Sequence, residues 1–425
     1  MPSFHTRPLI AAVLYDVIRA TLVSAQSTPI MLNVQASNGF VGFATQLEVP
    51  ENAGFGPNQM LVDTGSSGIA FCNKQLASGL TPASYPGNAL YLGELNETCL
   101  GSKFLQGNAY GTHRPPTQYY WGYQYVGDIL ITSHGSDSSR EMANVAYTIV
   151  EEYEKFTCDF GFDGIWGVAF PNAGSREFAL LPSATGDPKN VLCFDYLSPC
   201  SASYDPSHEW CYDMSTNKYA FYFEPAIQKG LEESDTQLFG IYLNTNVAEF
   251  SKLVQAGLSY NVGMAYVGDD AINNTYYSPE SVHATVHSNS NELYWNLPIT
   301  SMQVFCKGSH SSSPLDLEDY CYTYACALVS GTKQLVFPDS IVNEIHSCSK
   351  GGSLQIKMSE GTLDIDLSGL RTLYKSGWVA SSSQKGNNIV FGFPIWLFYY
   401  IVFNYGEAIA NHAVITFVTK RHSGA

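Results

Sequence analysis

Leu61–Gly68 reads LVDTGSSG, an apolar run that ends on the carboxylate of Asp63 and turns at once through Thr64, Gly65 and two serines. Glycine permits so tight a turn because it brings no Cβ into the bend. The same order returns at Ala327–Lys333, ALVSGTK, pairing Asp63 with Val329, Thr64 with Ser330, Gly65 with Gly331, Ser66 with Thr332 and Ser67 with Lys333. The chain therefore reads as an internal repeat, each half presenting one glycine turn after an apolar strand. The halves differ most in chemistry at the first position, where a carboxylate is answered by an isopropyl group.

At 425 residues the chain is too long for one compact core and suits two domains. Its 36 Gly, 28 Tyr and 23 Phe, with short β-branched and aromatic runs between Gly, Pro, Ser and Asn clusters, favour an all-β protein. The formal charge of −17 comes from few basic residues rather than acidic blocks, which excludes nucleic acid as a partner. Gly392–Phe403, GFPIWLFYYIVF, is well short of the ~20 apolar residues that a membrane helix needs, so it reads as buried strand and the protein as not membrane-spanning.

Ten cysteines form an even set without paired CxxC spacing, and there is no HExxH, so disulfides are expected and neither metal nor cofactor is. His283 and His287 stand four apart, but SVHATVHSNS reads as an alternating strand or loop with two surface histidines. Residues 1–25 carry an apolar stretch and the small-x-small ending Val23-Ser24-Ala25, which reads as a signal peptide. Two sequons, at Asn96 and Asn273, fit the same secreted reading, with a vacuolar or other secretory-pathway compartment as the alternative.

Further landmarks follow DTGSS in order. Tyr110-Gly111-Thr112 opens a hairpin near 108–130 with Gly127-Asp128 on its return; FDGIWGVAFP follows at Phe162–Pro171, YAFYF at Tyr219, LYWNLPITSMQV at Leu293, and GFPIWLFYYIVFN at Gly392–Asn404. From about residue 30 the chain resembles the pepsin-like aspartic proteases. The resemblance implies two β-barrel-like lobes, residues 26–225 and 226–425, with a cleft between them, a flap near 108–130 and an insertion at 172–218. Asp63 is then one of two catalytic carboxylates and Val329 stands where the second belongs. Thr64 and Ser330 would tie the two loops together, Gly65 and Gly331 would make the turns, and Ser66 and Thr332 would support the carboxylate. Tyr110, with Tyr120 as the alternative, would contact a ligand from the flap. Cys321 and Cys326 would close a small loop, and Cys348 would pair backwards with Cys306 or stay free.

Peptide hydrolysis by such a pair needs one ionised carboxyl to take a proton from water and one protonated carboxyl to polarise the carbonyl, which two close carboxyls achieve by sharing a proton. Valine can do neither. Three more departures from the family pattern fall nearby: Ala70 for a tryptophan, Lys333 for a small hydroxyl residue and Phe393 for an aspartate. The strand FVGFATQLEVP begins at Phe40, soon after Ala25, leaving no room for the basic prosegment that such proteases carry. The leading expectation is a monomeric, catalytically inactive or severely impaired homologue that binds a peptide or protein in its cleft. An active acid endopeptidase and an inhibitor of a secreted hydrolase are the alternatives.

Overall fold

The computed structural model describes residues 29–37, 40–66, 68–82, 104–110, 118–133, 139–169, 176–179, 204–205, 210–211, 237–255, 260–286, 295–308, 311–323, 326–382, 389–405 and 413–420. The first half runs β1 (Ile30–Ser37), β2 (Phe40–Glu48), β3 (Asn58–Asp63), β4 (Ile69–Phe71), β5 (Phe104–Tyr110), β6 (Gln118–Thr132), β7 (Ser139–Glu154), β8 (Gly164–Gly167) and β9 (Arg176–Ala179). The short hairpin β10 (Tyr204–Asp205) and β11 (Trp210–Cys211) lies within the insertion. The second half runs β12 (Leu238–Leu243), β13 (Tyr260–Val267), β14 (Val282–Thr285), β15 (Ile299–Cys306), β16 (Leu315–Asp316), β17 (Cys326–Leu328), β18 (Leu335–Pro338), β19 (Gly352–Met358), β20 (Gly361–Asp366), β21 (Val379–Ser382), β22 (Ile389–Phe391), β23 (Tyr399–Asn404) and β24 (Val414–Thr419). Helices are short: α1 (Val247–Gln255), α2 (Glu318–Thr323), α3 (Asp339–Ser347) and α4 (Leu367–Lys375).

One sheet crosses the molecule in the order β14-β24-β23-β12-β13-β1-β2-β3-β8-β4-β7-β6-β5-β9. The halves join where β1 pairs antiparallel with β13, Ile30 lying opposite Ala265. The core is continuous across that join: Phe43 packs on Phe393 at 4.6 Å and on Trp396 at 5.6 Å, and Trp166 on Phe239 at 6.0 Å. Strands buried on both faces read as unbroken apolar runs, which is why LVD and YYIVF lack polar alternation.

The internal repeat is visible in the pairing. In the first half β3 runs parallel to β8, β8 antiparallel to β4, and β4 parallel to β7. In the second, β17 runs parallel to β22, β22 antiparallel to β18, and β18 parallel to β21. Val62 and Ile69 both face Trp166, as Leu328 and Leu335 both face Phe391.

The late apolar run differs from its sequence reading. Phe393–Leu397 forms a fully buried 3-10 turn, and the strand begins only at Tyr399. Pro394 explains the change, because it has no N–H for a sheet ladder and its fixed φ suits the first turn of a helix. His283 does lie on a strand, β14, with its Nδ1 3.1 Å from Thr416 Oγ1. Disulfides join Cys321 to Cys326 and Cys306 to Cys348, and a third, Cys72–Cys158, was not anticipated. Such bonds form in an oxidising compartment. Among the described residues no helix is long and apolar enough to cross a membrane. The signal peptide expected at 1–25, the lobe boundary expected at 225/226, YAFYF, Asn96, His287 and most of the 172–218 stretch lie outside the described residues.

Candidate active site

Asp63 is the last residue of β3, and Val329 follows directly on β17. Each sits where an apolar strand leaves the core and turns, so the two loops meet across the repeat. Thr64 Oγ1 donates to Leu328 O at 3.0 Å and accepts from the Ser330 N–H at 2.8 Å. Ser330 Oγ donates to Val62 O at 2.8 Å and accepts from the Thr64 N–H at 3.0 Å. The four bonds form a reciprocal lock between residues 266 apart, and both side chains are fully buried.

Replacing Ser330 by alanine leaves the Thr64 N–H without that acceptor and takes the donor from Val62 O. An unsatisfied buried polar group costs about 1–3 kcal/mol. Ser330→Ala should therefore lower the urea midpoint by a stability loss of about 2 kcal/mol or more, with an unchanged slope. A midpoint equal to wild type would show that the lock contributes little.

The Asp63 carboxylate is held on three sides. Its Oδ1 accepts from the N–H of Gly65 at 2.9 Å and from that of Gly331 at 3.0 Å, while Oδ2 accepts from Ser66 Oγ at 2.8 Å. Both glycines are required by close approach. A methyl carbon on Gly331 would stand 2.5 Å from Asp63 Oδ1, and one on Gly65 would stand 2.6 Å from Val329 Cγ1. The valine thus occupies, against Gly65, the place that the carboxylate occupies against Gly331.

Two effects oppose each other at Asp63. Burial favours the neutral form; the hydrogen bonds from Gly65, Ser66 and Gly331 favour the charged one. Burial is the larger, and it pushes the carboxyl above its ordinary value of 3.8. A group with a raised folded-state pKa binds its proton more tightly folded than unfolded, so its ionisation opposes the fold. Asp63→Asn should therefore match wild type below pH 3.8 and become the more stable of the two as pH rises through the folded pKa. Each tenfold gain in proton affinity is worth about 1.4 kcal/mol of that difference. Melting temperatures across the acid range check this, and a gap that narrows with rising pH would contradict it.

Thr64, Gly65, Ser66, Ser330 and Gly331 all lie in the loop pair, and Thr332 O accepts from the Phe393 N–H at 2.7 Å. Lys333 is exposed on the next position. Tyr110 ends β5 with its backbone opposite Gln118, and the hairpin tip 111–117 lies outside the described residues.

Tyr120 is not a surface residue: it is 1% exposed, its ring 4.6 Å from Phe156, in a cluster with Ala44, Leu61, Ala70 and Ile165. The expectation of a ligand contact there is corrected to packing of the first lobe. Ala70 belongs to the same cluster, so its small side chain serves that core. Phe393 is fully buried between Phe43 and Phe250, at 4.6 and 5.5 Å.

Sequence reasoning missed the supports behind the loops. Trp295 Nε1 donates to Val168 O at 3.5 Å, and Tyr405 Oη donates to the same carbonyl. Lys420 Nζ donates to Trp396 O at 2.9 Å, to Thr245 O at 3.2 Å and to Leu243 O, fixing the 3-10 turn that carries Phe393. A single lysine closing the apolar strand VITFVT was the one available signal for that clamp.

The fold is that of a bilobal aspartic proteinase. The crystal structure of the aspartic proteinase from Irpex lacteus superposes on 92% of this chain and 98% of its own length, with a TM-score of 0.51 and 13% sequence identity. At that identity the likeness establishes architecture, not activity. No protein-family model and no curated protein sequence matches the chain.

Proposed function

We propose that this chain is a secreted pseudoprotease, an aspartic-protease-like scaffold that binds a peptide or protein segment in the cleft between its lobes without cutting it. One observation carries the reading: the two loops keep their reciprocal lock and their glycine turns, yet one presents a carboxyl and the other Val329. The scaffold for a dyad is intact while the dyad is not.

Val329 has no lone pair, proton or charge, so it can neither activate water nor polarise a carbonyl. One acid–base partner is commonly worth ~10²–10⁴ in rate, and members of one catalytic unit act together, so its loss removes most turnover. What remains is a cleft with Asp63 able to donate or accept a hydrogen bond at its floor. The raised pKa of Asp63 keeps it neutral further up the pH scale than an ordinary carboxyl, which suits it to donate to a bound carbonyl in acid.

The test is to pass a peptide mixture from a denatured protein over immobilised wild type at acid and neutral pH. Captured peptides should elute at their input lengths. Shortened peptides from wild type but not from Asp63→Asn would make the chain an active acid endopeptidase. A wild type that captures nothing would remove the binding role.

A further inference from the structure

The outer face of β12, β13, β23 and β24, turned away from the main core, carries a group of tyrosines. Tyr242 stacks on Tyr276 at 3.9 Å with planes 19° apart, Tyr400 packs edge-on against Tyr242 and Tyr266, Tyr266 lies tilted against Tyr276, and Lys420 Nζ lies 5.0 Å above the Tyr242 ring. Tyr400 and Tyr266 are buried, but Tyr242, Tyr276 and Tyr277 keep part of their surface exposed, and Ile272 beside them is 36% exposed. The segment bearing Tyr276 and Tyr277 also bears the sequon Asn273-Asn274-Thr275.

The two adjacent asparagines are used differently. Asn274 is a structural hub. Its Nδ2 donates to Asp270 O at 2.6 Å, Ala271 O at 3.1 Å and Tyr400 Oη at 3.1 Å, and its Oδ1 accepts from the N–H groups of Tyr276 and Tyr277 at 2.9 and 3.1 Å. This knot holds the turn and points both tyrosines along the sheet face. Asn273 takes part in none of these bonds. It is exposed, as is Thr275, at the end of a 3-10 turn whose Asp269 O accepts the Asn273 N–H at 2.9 Å.

We propose that Asn273 carries an N-linked glycan whose first sugars lie on the exposed surfaces of Tyr276 and Tyr277. The modification requires an exposed Asn-x-Thr turn in a chain that enters a secretory compartment, and the disulfides among the described residues fit that route. In the transfer, the Asn273 amide nitrogen displaces the diphosphate of a lipid-linked oligosaccharide. The C–N bond forms as the anomeric C–O bond breaks, the lipid diphosphate leaves, and the amide proton passes to the transferase. Sugar rings have one face of C–H bonds, which packs on the electron-rich face of a tyrosine ring. The glycan is tethered beside such rings, so it can cover them without the entropy loss of binding a separate molecule.

The protein is secreted from a eukaryotic host as wild type, Asn273→Gln and Thr275→Ser, then treated with peptide N-glycosidase. Mass spectrometry should find aspartate at 273 in wild type and Thr275→Ser; unaltered asparagine at 273 in wild type overturns the modification. Hydroxyl-radical oxidation of Tyr276 and Tyr277 should rise severalfold in Asn273→Gln over wild type, while Tyr400, fully buried, stays protected and reports an intact fold. Equal oxidation of Tyr276 and Tyr277 overturns the covering role. If Asn273→Gln is not secreted, native wild type before and after glycosidase treatment gives the same comparison.

Discussion

Val329→Asp is expected to cleave peptides in acid far faster than wild type. The loop pair already supplies most of what a second carboxylate needs. Gly65 lies against position 329 as Gly331 lies against Asp63, and Thr332 matches Ser66, whose hydroxyl donates to Asp63 Oδ2 at 2.8 Å. Valine and aspartate are close in size, so the exchange adds no volume to the turn. Two carboxyls at this range share one proton, because they do not both ionise, and the pair then holds the acid and base forms together. The gain should be at least ~10²–10⁴ in rate over wild type, largest in acid and lost again in Val329→Asp with Asp63→Asn. Cleavage of a broad peptide library across the acid range measures it. A Val329→Asp protein that folds, binds peptides and does not cut would show that Lys333 or the flap, and not Val329 alone, blocks the chemistry.

Phe393→Asp should do the reverse and unfold the second lobe. On sequence grounds this change restores an aspartate, much as Val329→Asp does. The structure separates the two, because Phe393 is fully buried, with Phe43 at 4.6 Å and Phe250 at 5.5 Å, and its N–H holds Thr332 O. Removing a buried phenylalanine costs about 3–5 kcal/mol. An unpaired carboxylate in its place adds a penalty of several kcal/mol. The sum approaches the 5–15 kcal/mol that holds a typical domain together, roughly all of its margin. Phe393→Asp is therefore expected as insoluble or molten protein, whereas Phe393→Leu should fold with a loss of about 1–2 kcal/mol. Thermal unfolding followed by near-ultraviolet circular dichroism separates the outcomes. A Phe393→Asp protein melting like wild type would mean that the 3-10 turn is not packed as described.

Much of the site was legible because the signals are local. The glycine turn, its hydroxyl neighbours and the echo at Val329 act within a few residues, so DTGSS and VSGT announce their backbone geometry wherever they fall. The run at Gly392–Phe403 was legible as buried but misread as all strand, since periodicity does not separate a buried strand from a buried turn and Pro394 was the deciding residue. Tyr120 was misassigned because an aromatic run shows its chemistry and not which face of the sheet each ring takes.

The sequence by itself determined the class of fold and the repeat that sets Val329 in answer to Asp63, because each follows from residue identity at short range. Only the tertiary structure decided how the site behaves. The lock joins Thr64 to Ser330 across 266 residues, the third hydrogen bond to Asp63 comes from Gly331 across 268, and burial by both lobes sets the proton affinity of Asp63. Such contacts depend on which surfaces meet after folding, and no local pattern encodes the dielectric at a buried carboxyl.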